Sequence, residues 1–426
     1  MVEAEGPAAG RKSGGFRAIG TGLITGAADD DPSAIGTYAS AGAAFGPALL
    51  WIAPVILPMM YAAVYLSAKL GQVAGEGLFA VLRKYSPRWL LYPTLVAVLI
   101  GNTIEAGADI GGIAAAARVA VPLPHAAAVI GPAAIILALQ IGGSYPLLRN
   151  VFRVLALSLL AYIPAAVLAH PDWARVLRQT ATPVVRFDKP FLAIIVAIVG
   201  TTLSAYLYTW QSNEEVEEEI ARGRTRLRER KGASDGELRR TRRDIIAGML
   251  FSNVVMYFVM LSTSSALFHS GRTGIASAAD AATALRPVAG NAAGLLFAIG
   301  VVGVGFLAVP VMTAGAAYDL CQTAGWDYGL SKKVGEAKRF YLTIAAFTAL
   351  AAAMNFLGFD PMKALVAAGI VQGFSTPPLM LLILLITNNR KIMKSRTNGW
   401  AINLLGGATT LALFAATFGL IATWLF

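Results

Sequence analysis

Cysteine and histidine are almost missing from these 426 residues. Cys321 stands alone, which excludes a disulfide framework and a metal site built from several thiolates of one chain. His125, His170 and His269 lie far apart, near the ends of expected helices, so a zinc cluster built from them is not expected. Charge is scarce: 14% of residues are Asp, Glu, Lys or Arg, where a soluble domain carries about 25%. There is no His-Glu-x-x-His pair for an intramembrane metalloprotease and no Gly-x-Ser-x-Gly elbow for a serine hydrolase. There is no Walker A loop, so ATP does not drive the protein directly. The chain is not expected to be an enzyme.

What is abundant is apolar surface, at 56% of residues, with a mean hydropathy of +0.63. A chain of this length and composition suits ten to twelve membrane-crossing helices of about 20 residues. Eleven spans are expected, at about 18–43, 47–70, 91–118, 124–142, 151–169, 190–212, 245–268, 289–321, 340–357, 361–387 and 398–424. Residues 1–16 read as a disordered cytosolic tail, and 17–426 as one transmembrane domain. The net charge of +11 invites a nucleic-acid reading, but the basic residues collect in alternate loops, as the positive-inside rule requires. Arg83, Lys84 and Arg88 mark one cytosolic loop, Arg149 and Arg153 the next, then Lys332, Lys333, Lys338 and Arg339, and finally Arg390, Lys391, Lys394 and Arg396. One loop disagrees in part: Arg175, Arg178, Arg186 and Lys189 fall on the outer side between spans five and six, with Asp172 and Asp188 offsetting half of them. An odd span count then places the N-terminus in the cytosol and the C-terminus outside.

The first span carries Asp29-Asp30-Asp31-Pro32 at its middle. Each Asp at mid-span costs roughly 2.5–3.5 kcal/mol, so three facing lipid would cost about 8–10 kcal/mol. A helix broken at Asp31-Pro32, its carboxylates lining a wet cavity that holds a cation, avoids that cost. The competing reading is a short turn between two half-length segments. Gly200-Thr201-Thr202-Leu203-Ser204-Ala205-Tyr206 interrupts the sixth span at the matching place in a second half. Paired interruptions of this kind point to an inverted repeat with a central binding site, although small-residue helix packing also uses such residues. The repeats are about 17–170 and 189–388, with an extra helix at about 398–424.

Further polar residues lie inside spans. Asn102, Glu105 and Asp109 share one helix face at i, i+3 and i+7. They serve either an ion path or a structural hydrogen-bonded cluster. Gln372 either completes an ion's shell or bonds between helices. Asn213 to Asp244 opens with five glutamates and continues with ten basic residues, and reads as a solvated cytosolic helix-turn-helix with internal Glu–Arg pairs. Tyr318-Asp319 reads as cytosolic interface, and Trp51, Trp89, Trp210, Trp326 and Trp424 as interfacial anchors.

The run Asp31-Pro-Ser-Ala-Ile-Gly-Thr-Tyr resembles the first-helix Asp-Pro-Gly-Asn motif of the Nramp divalent-metal transporters. Thr201 to Tyr206 falls where that family has Ala-x-x-Met-Pro-His. The resemblance implies an all-α membrane protein with a LeuT-like 5+5 inverted repeat, about 11 transmembrane helices and broken helices 1 and 6. Asp31 matches the family's metal-binding aspartate, while Ala34 replaces the Asn ligand, Ser204 the Met and Tyr206 the His associated with proton movement. Asp109 matches a third-helix aspartate, but Gly112 stands where the family's nearby Glu would be. With Asp-Asp-Asp-Pro-Ser and Trp210-Gln211, these departures resemble the Nramp-related magnesium transporter branch. That branch implies transport of Mg2+ and Mn2+ and loss of proton coupling.

The residues themselves point the same way. A site of Asp31 carboxylate, Thr202 and Ser204 hydroxyls and the Thr201 and Leu203 carbonyls is all hard oxygen, and suits a partly hydrated ion. The expected metal residues are Asp31, Ala34, Thr201, Thr202, Ser204 and Gln372, with Asp30, Asn102, Glu105, Asp109 and Tyr206 along the ion path. Asp30 is preferred to Asp29 as the second acid. The expected function is alternating-access transport of Mg2+ or Mn2+ across the cell membrane, without proton coupling. Its alternatives are a proton-coupled Mn2+/Fe2+ transporter and an organic-cation carrier on the same fold. No cofactor is expected, the metal ion being substrate; the partners are divalent ions and the lipid bilayer, with no nucleic acid. The sequence leaves the oligomeric state open.

Overall fold

A computed structural model describes residues 20–142, 157–268 and 290–425, with 271, 275, 278–282, 285 and 286 between them. The expected tail at 1–16 and the basic loop with Arg149 and Arg153 lie outside the described residues, as does His269. Among the described residues there are helices and no strand. Eight helical stretches are long and apolar enough to cross a membrane: Ile52–Ala74, Arg88–Ala120, His125–Gly142, Lys189–Ala221, Asp235–Ala266, Gly290–Ala324, Pro361–Thr387 and Trp400–Ala422. They coincide with eight of the eleven expected spans. The first expected span is two half-helices, α1 (Thr21–Asp29) and α2 (Pro32–Phe45). The fifth contributes the short apolar stretch Leu159–Leu168 to the described residues, and the ninth a helix of 17 residues.

The remaining helices used below are α3 (Ile52–Ala74), α4 (Leu78–Tyr85), α5 (Arg88–Ala120), α6 (His125–Gly142), α7 (Tyr162–Leu168), α8 (Trp173–Ala181), α9 (Lys189–Thr202) and α10 (Ala205–Ala221). Then follow α11 (Asp235–Ala266), α12 (Ala293–Ala324), α13 (Lys338–Met354), α14 (Pro361–Thr387) and α15 (Trp400–Leu425). The core is a bundle in which α5 lies against α12, α14 and α13, while α11 holds α1, α2 and α3. Large apolar side chains such as Ile100, Ile130, Leu342, Leu404, Leu411 and Phe418 point outward. Polar ones such as Asp29, Asp31, Glu105, Asp109 and Gln372 are fully buried. That inversion of the soluble pattern is what a lipid exterior and a polar interior require.

Local chemistry explains the breaks. Asp30 leaves the helix (φ −87°, ψ 42°), and Asp31 is extended (φ −62°, ψ 172°). Pro32 then opens α2, where its missing N–H costs nothing, and the Asp31 side chain caps the new helix by accepting from the Ala34 N–H. In the second half, Leu203 and Ser204 interrupt the α9–α10 run, with Ser204 extended (φ −60°, ψ 141°). Close packing depends on glycine: a methyl on Gly26 would lie 2.1 Å from the Gly248 carbonyl oxygen, so α1 rests directly on α11. Within α14, Pro377 cannot bond the Gly373 carbonyl four residues back. The Thr417 hydroxyl of α15 donates to that carbonyl instead, at 2.7 Å.

Three expectations need correction. The acidic start of the charged segment is not solvated: α10 continues to Ala221, and Glu214, Glu215, Glu217 and Glu219 are buried. They are covered by residues distant in sequence. Glu215 accepts from Gln211, Gln72 and Thr21, and Glu217 accepts from the Tyr318 hydroxyl and the Leu330 and Ser331 N–H groups. The Glu–Arg pairing is present, through Arg222 with Glu218 and Glu219 and Arg224 with Glu219 and Glu237. Tyr318 and Asp319 are buried within α12 rather than interfacial. Trp210 is also internal, on the packed side of α10, whereas Trp89 is 74% exposed as an anchor would be.

Candidate cation site

The two helix breaks meet at α5. Asp31 Oδ1 accepts from the Ala34 N–H at 2.6 Å and from the Ser33 hydroxyl at 2.8 Å, and Oδ2 accepts from the Tyr206 hydroxyl at 3.0 Å. Tyr206 also reaches the Ala28 carbonyl at the end of α1, at 2.8 Å. Glu105 Oε1 faces the hydroxyls of Ser33 (3.4 Å) and Ser204 (3.3 Å), one from each break. Glu105 Oε2 accepts from Gln372 Nε2 at 2.6 Å, and the same amide reaches Asn102 Oδ1 at 3.2 Å. Asp109 Oδ1 accepts from the Ser33 N–H at 2.9 Å, while its Oδ2 has no hydrogen-bond partner. Asp31, Ala34, Ser204, Tyr206, Asn102, Glu105, Asp109 and Gln372 thus form one buried network.

The other expected residues lie beside it. Thr202 directs its hydroxyl to Tyr38 (2.7 Å) and to Met256 Sδ (3.8 Å). The Thr201 hydroxyl is buried without a partner, and its carbonyl accepts from Ser204 at 2.8 Å. The Leu203 carbonyl accepts from Tyr208 at 2.8 Å, so it too is engaged where the helix unwinds. Asp30 and Asp29 both turn to Ser252 of α11, at 3.3 Å and 2.6 Å. The acids joined to Asp31 through Ser33 are therefore Glu105 and Asp109, whereas Asp29 and Asp30 are tied to α11. Gln372 carries interhelical bonds to Asn102 and Glu105 of α5, and Ser375, one turn along its own helix, donates to its Oε1 at 2.8 Å.

Among the described residues, Asp29, Asp30, Asp31, Glu105 and Asp109 form no ion pair. Nor does any group of three or more His, Cys, Asp and Glu converge as a ready-made metal cage. The acids of this interior are met by hydroxyls, N–H groups and one amide rather than by basic side chains.

A family model described as "Natural resistance-associated macrophage protein-like" matches residues 22–423, nearly the whole chain. The chain belongs to the Nramp family. Divalent metal cation transporter MntH of Burkholderia ambifaria is 26% identical over 403 residues, covering 93% of this chain and 86% of the relative. That of Deinococcus radiodurans is 26% identical, covering 93% and 87%. Among solved structures, the Eremococcus coleocola manganese transporter aligns with a TM-score of 0.70 at 16% identity, over 96% of this chain and 87% of that one. Mhp1, a nucleobase-cation-symport-1 family transporter, aligns at 0.56 and 12% identity, over 95% and 91%. These structures establish the fold: a LeuT-like, multi-pass arrangement with broken first and sixth helices.

Within this Nramp chain, Ser33 and Ser252 were not singled out from the sequence, although both bind the acids. Ser33 had a signal, since it follows the Asp-Pro pair and stands in the first turn of the capped half-helix. Ser252-Asn253 had one too, as a polar pair inside an apolar span.

Proposed function

We propose that this protein is a secondary transporter of hard divalent cations, Mg2+ and Mn2+, working by alternating access across the cell membrane. The observation that carries this reading is the donor set. The groups engaging Asp31, Glu105 and Asp109 are hydroxyls, backbone N–H groups and one carboxamide, without thioether or imidazole. Oxygen-rich surroundings suit Mg2+ and Mn2+, whereas thioether selects softer metals. Mg2+ keeps several waters and uses one or two carboxylates, which fits Asp31 as the principal ligand with Glu105 or Asp109 acting through water. The Thr201 and Leu203 carbonyls at the α9 terminus add dipoles of the same sign. The relatives named as divalent metal cation transporters support the substrate class.

The sixth-helix position that would relay a proton holds Tyr206, which donates to Asp31, so transport is proposed to proceed without proton coupling. The N-terminus is proposed to lie in the cytosol and the C-terminus outside, from the basic loops. Repeat one is then about 17–170 and repeat two about 189–388. An inside-negative potential favours entry of a dication by about 4.6 kcal/mol per 100 mV, twice the single-charge value.

The test is uptake into proteoliposomes carrying Mg2+- and Mn2+-sensing dyes and an internal pH probe. Saturable entry of both ions, lost in Asp31→Ala and without acidification, is the expected result. Mn2+ entry with proton influx and no Mg2+ entry would overturn the uncoupled reading. Movement of neither ion through folded protein would overturn the metal assignment and turn attention to organic cations.

A further inference from the structure

Beyond the central network, one buried acid stands out. Asp319 of α12 is 0% exposed, and neither of its carboxylate oxygens meets a donor in good hydrogen-bond geometry, the Thr209 hydroxyl beside it being turned to the Tyr206 carbonyl. It also forms no ion pair among the described residues. Other buried acids are treated differently: Glu215 and Glu217 each accept from three donors, and Glu105 from three as well. A carboxylate inside a membrane protein is retained against a substantial insertion cost, which makes an unsatisfied one a candidate for binding a cation.

Its position supplies the second observation. Tyr206, Thr209 and Asn213 occupy one face of α10, at i, i+3 and i+7, and Gly315, Asp319 and Gln322 one face of α12, at i, i+4 and i+7. The two faces meet: a methyl on Gly315 would lie 3.6 Å from Thr209 Oγ1, and Gln322 Nε2 donates to Asn213 Oδ1 at 2.6 Å. The Thr209 hydroxyl beside Asp319 donates to the Tyr206 carbonyl at 3.1 Å. Tyr206 in turn holds Asp31. A polar seam therefore runs from the central site, past Asp319, to the end of α10 where Glu217 anchors the chain at Leu330 and Ser331. In the proposed orientation that is the cytosolic end.

We infer that the Asp319 carboxylate, with the Thr209 hydroxyl, is a second binding station for the divalent cation on its way from Asp31 to the cytosol. The inference rests on the transport reading above. Both donors are hard oxygens, and a single carboxylate suits a station that must release its ion quickly. A carboxyl that only fills space as a neutral group is mimicked by Asn, which separates the two roles.

Two measurements on the full chain test it. Free Mn2+ is counted by electron paramagnetic resonance in titrations of purified protein, and Mn2+ uptake is followed in proteoliposomes. Asp31→Ala is expected to keep one weak Mn2+ site that disappears in Asp31→Ala/Asp319→Asn. Asp319→Asn alone is expected to bind Mn2+ at the central site within about twofold of wild type, yet to lower maximal uptake about tenfold. Absence of a weak site in Asp31→Ala, or wild-type uptake by Asp319→Asn, overturns the inference. Should the Asn variant aggregate, Thr209→Val takes its place, and unchanged maximal uptake there overturns it. Failure of wild type to move Mn2+ would instead defeat the transport reading.

Discussion

Alanine at Gly248 is expected to loosen the seat of α1 against α11. A methyl on Gly248 would lie 2.0 Å from the Gly22 carbonyl oxygen, whereas real Cβ contacts stay beyond 3.0 Å. The half-helix must therefore retreat by about 3.0 − 2.0 = 1 Å. The atoms met are backbone, so no rotamer change relieves the clash. Overpacking of this kind costs roughly 1–3 kcal/mol. Borne by the packed arrangement alone, that cost raises the population with α1 displaced about 5- to 150-fold. Thr25 reports the change: it is fully buried, with its hydroxyl 2.5 Å from Gln211 Oε1 on α10. The assay is the labelling rate of Thr25→Cys by a water-soluble maleimide, in a Cys321→Ala background, with and without Gly248→Ala. Gly300→Ala is the control, because a methyl there meets nothing within 4 Å. Equal labelling of the Gly248→Ala and Gly300→Ala proteins, both folded, would refute the argument that this glycine contact seats α1 against α11.

Tyr206→Phe removes the 3.0 Å bond to Asp31 and the 2.8 Å bond to the Ala28 carbonyl. Hydrogen bonds to charged groups are worth about 1.5–3 kcal/mol, so Mn2+ binding measured by calorimetry should weaken roughly ten- to hundredfold. Unchanged affinity would show that Tyr206 does not orient the carboxylate. Thr417→Val leaves the Gly373 carbonyl unsatisfied, at a cost of about 1–3 kcal/mol. Its thermal unfolding midpoint in detergent should fall, and an unchanged midpoint would mean that another donor takes over. At the exposed start of α11, burial pushes the Glu237 carboxyl upward, but hydrogen bonds from the Ser234 N–H and hydroxyl and from Arg224 outweigh it and hold the pKa down at about 2. The folded value lies below the ordinary 4.5, so this cap stabilises the helix above that pH and is lost as pH falls toward 2. Protection factors for hydrogen exchange at residues 235–241, corrected for the intrinsic rate, should fall over that window in wild type, and much less in Glu237→Gln.

The breaks were legible because Asp-Pro within an apolar run leaves few physical solutions. Glu105 and Asp109 were legible because helical spacing alone puts them on one face. Ser33 and Ser252 were harder to find, since small hydroxyl residues serve equally well in ordinary helix packing. The placement of Asp30 was not legible: the turn that aims Asp31 at Tyr206 sends both Asp29 and Asp30 to Ser252 of α11. The glutamates after Asn213 misled for a different reason. Their density signals solvent, but what buries them comes from Thr21, Gln72, Tyr318 and Leu330, at sequence separations of 101 to 194 residues. No local pattern carries that information.

Glu105 shows how occupancy and movement can be linked in such a site. Its Oε1 faces Ser33 beyond the first break and Ser204 within the second, while its Oε2 is held by Gln372 from α14. A cation at Asp31 must compete with the Ser33 hydroxyl, which spans Asp31 and Glu105. Releasing that hydroxyl removes one of the ties between α2 and α5, and the Ser204 tie then bears the strain of any shift in α10. Attraction between a dication and a carboxylate 4 Å away is about 8 kcal/mol at an effective dielectric of 20, before desolvation. A millimolar site needs only about 4 kcal/mol in total. Three free carboxylates around one ion would therefore hold it too long for turnover, and the hydroxyl and amide bonds that occupy Glu105 reduce its share. With the ion at Asp31 as proposed, the bonds that hold Glu105 would set how readily it leaves.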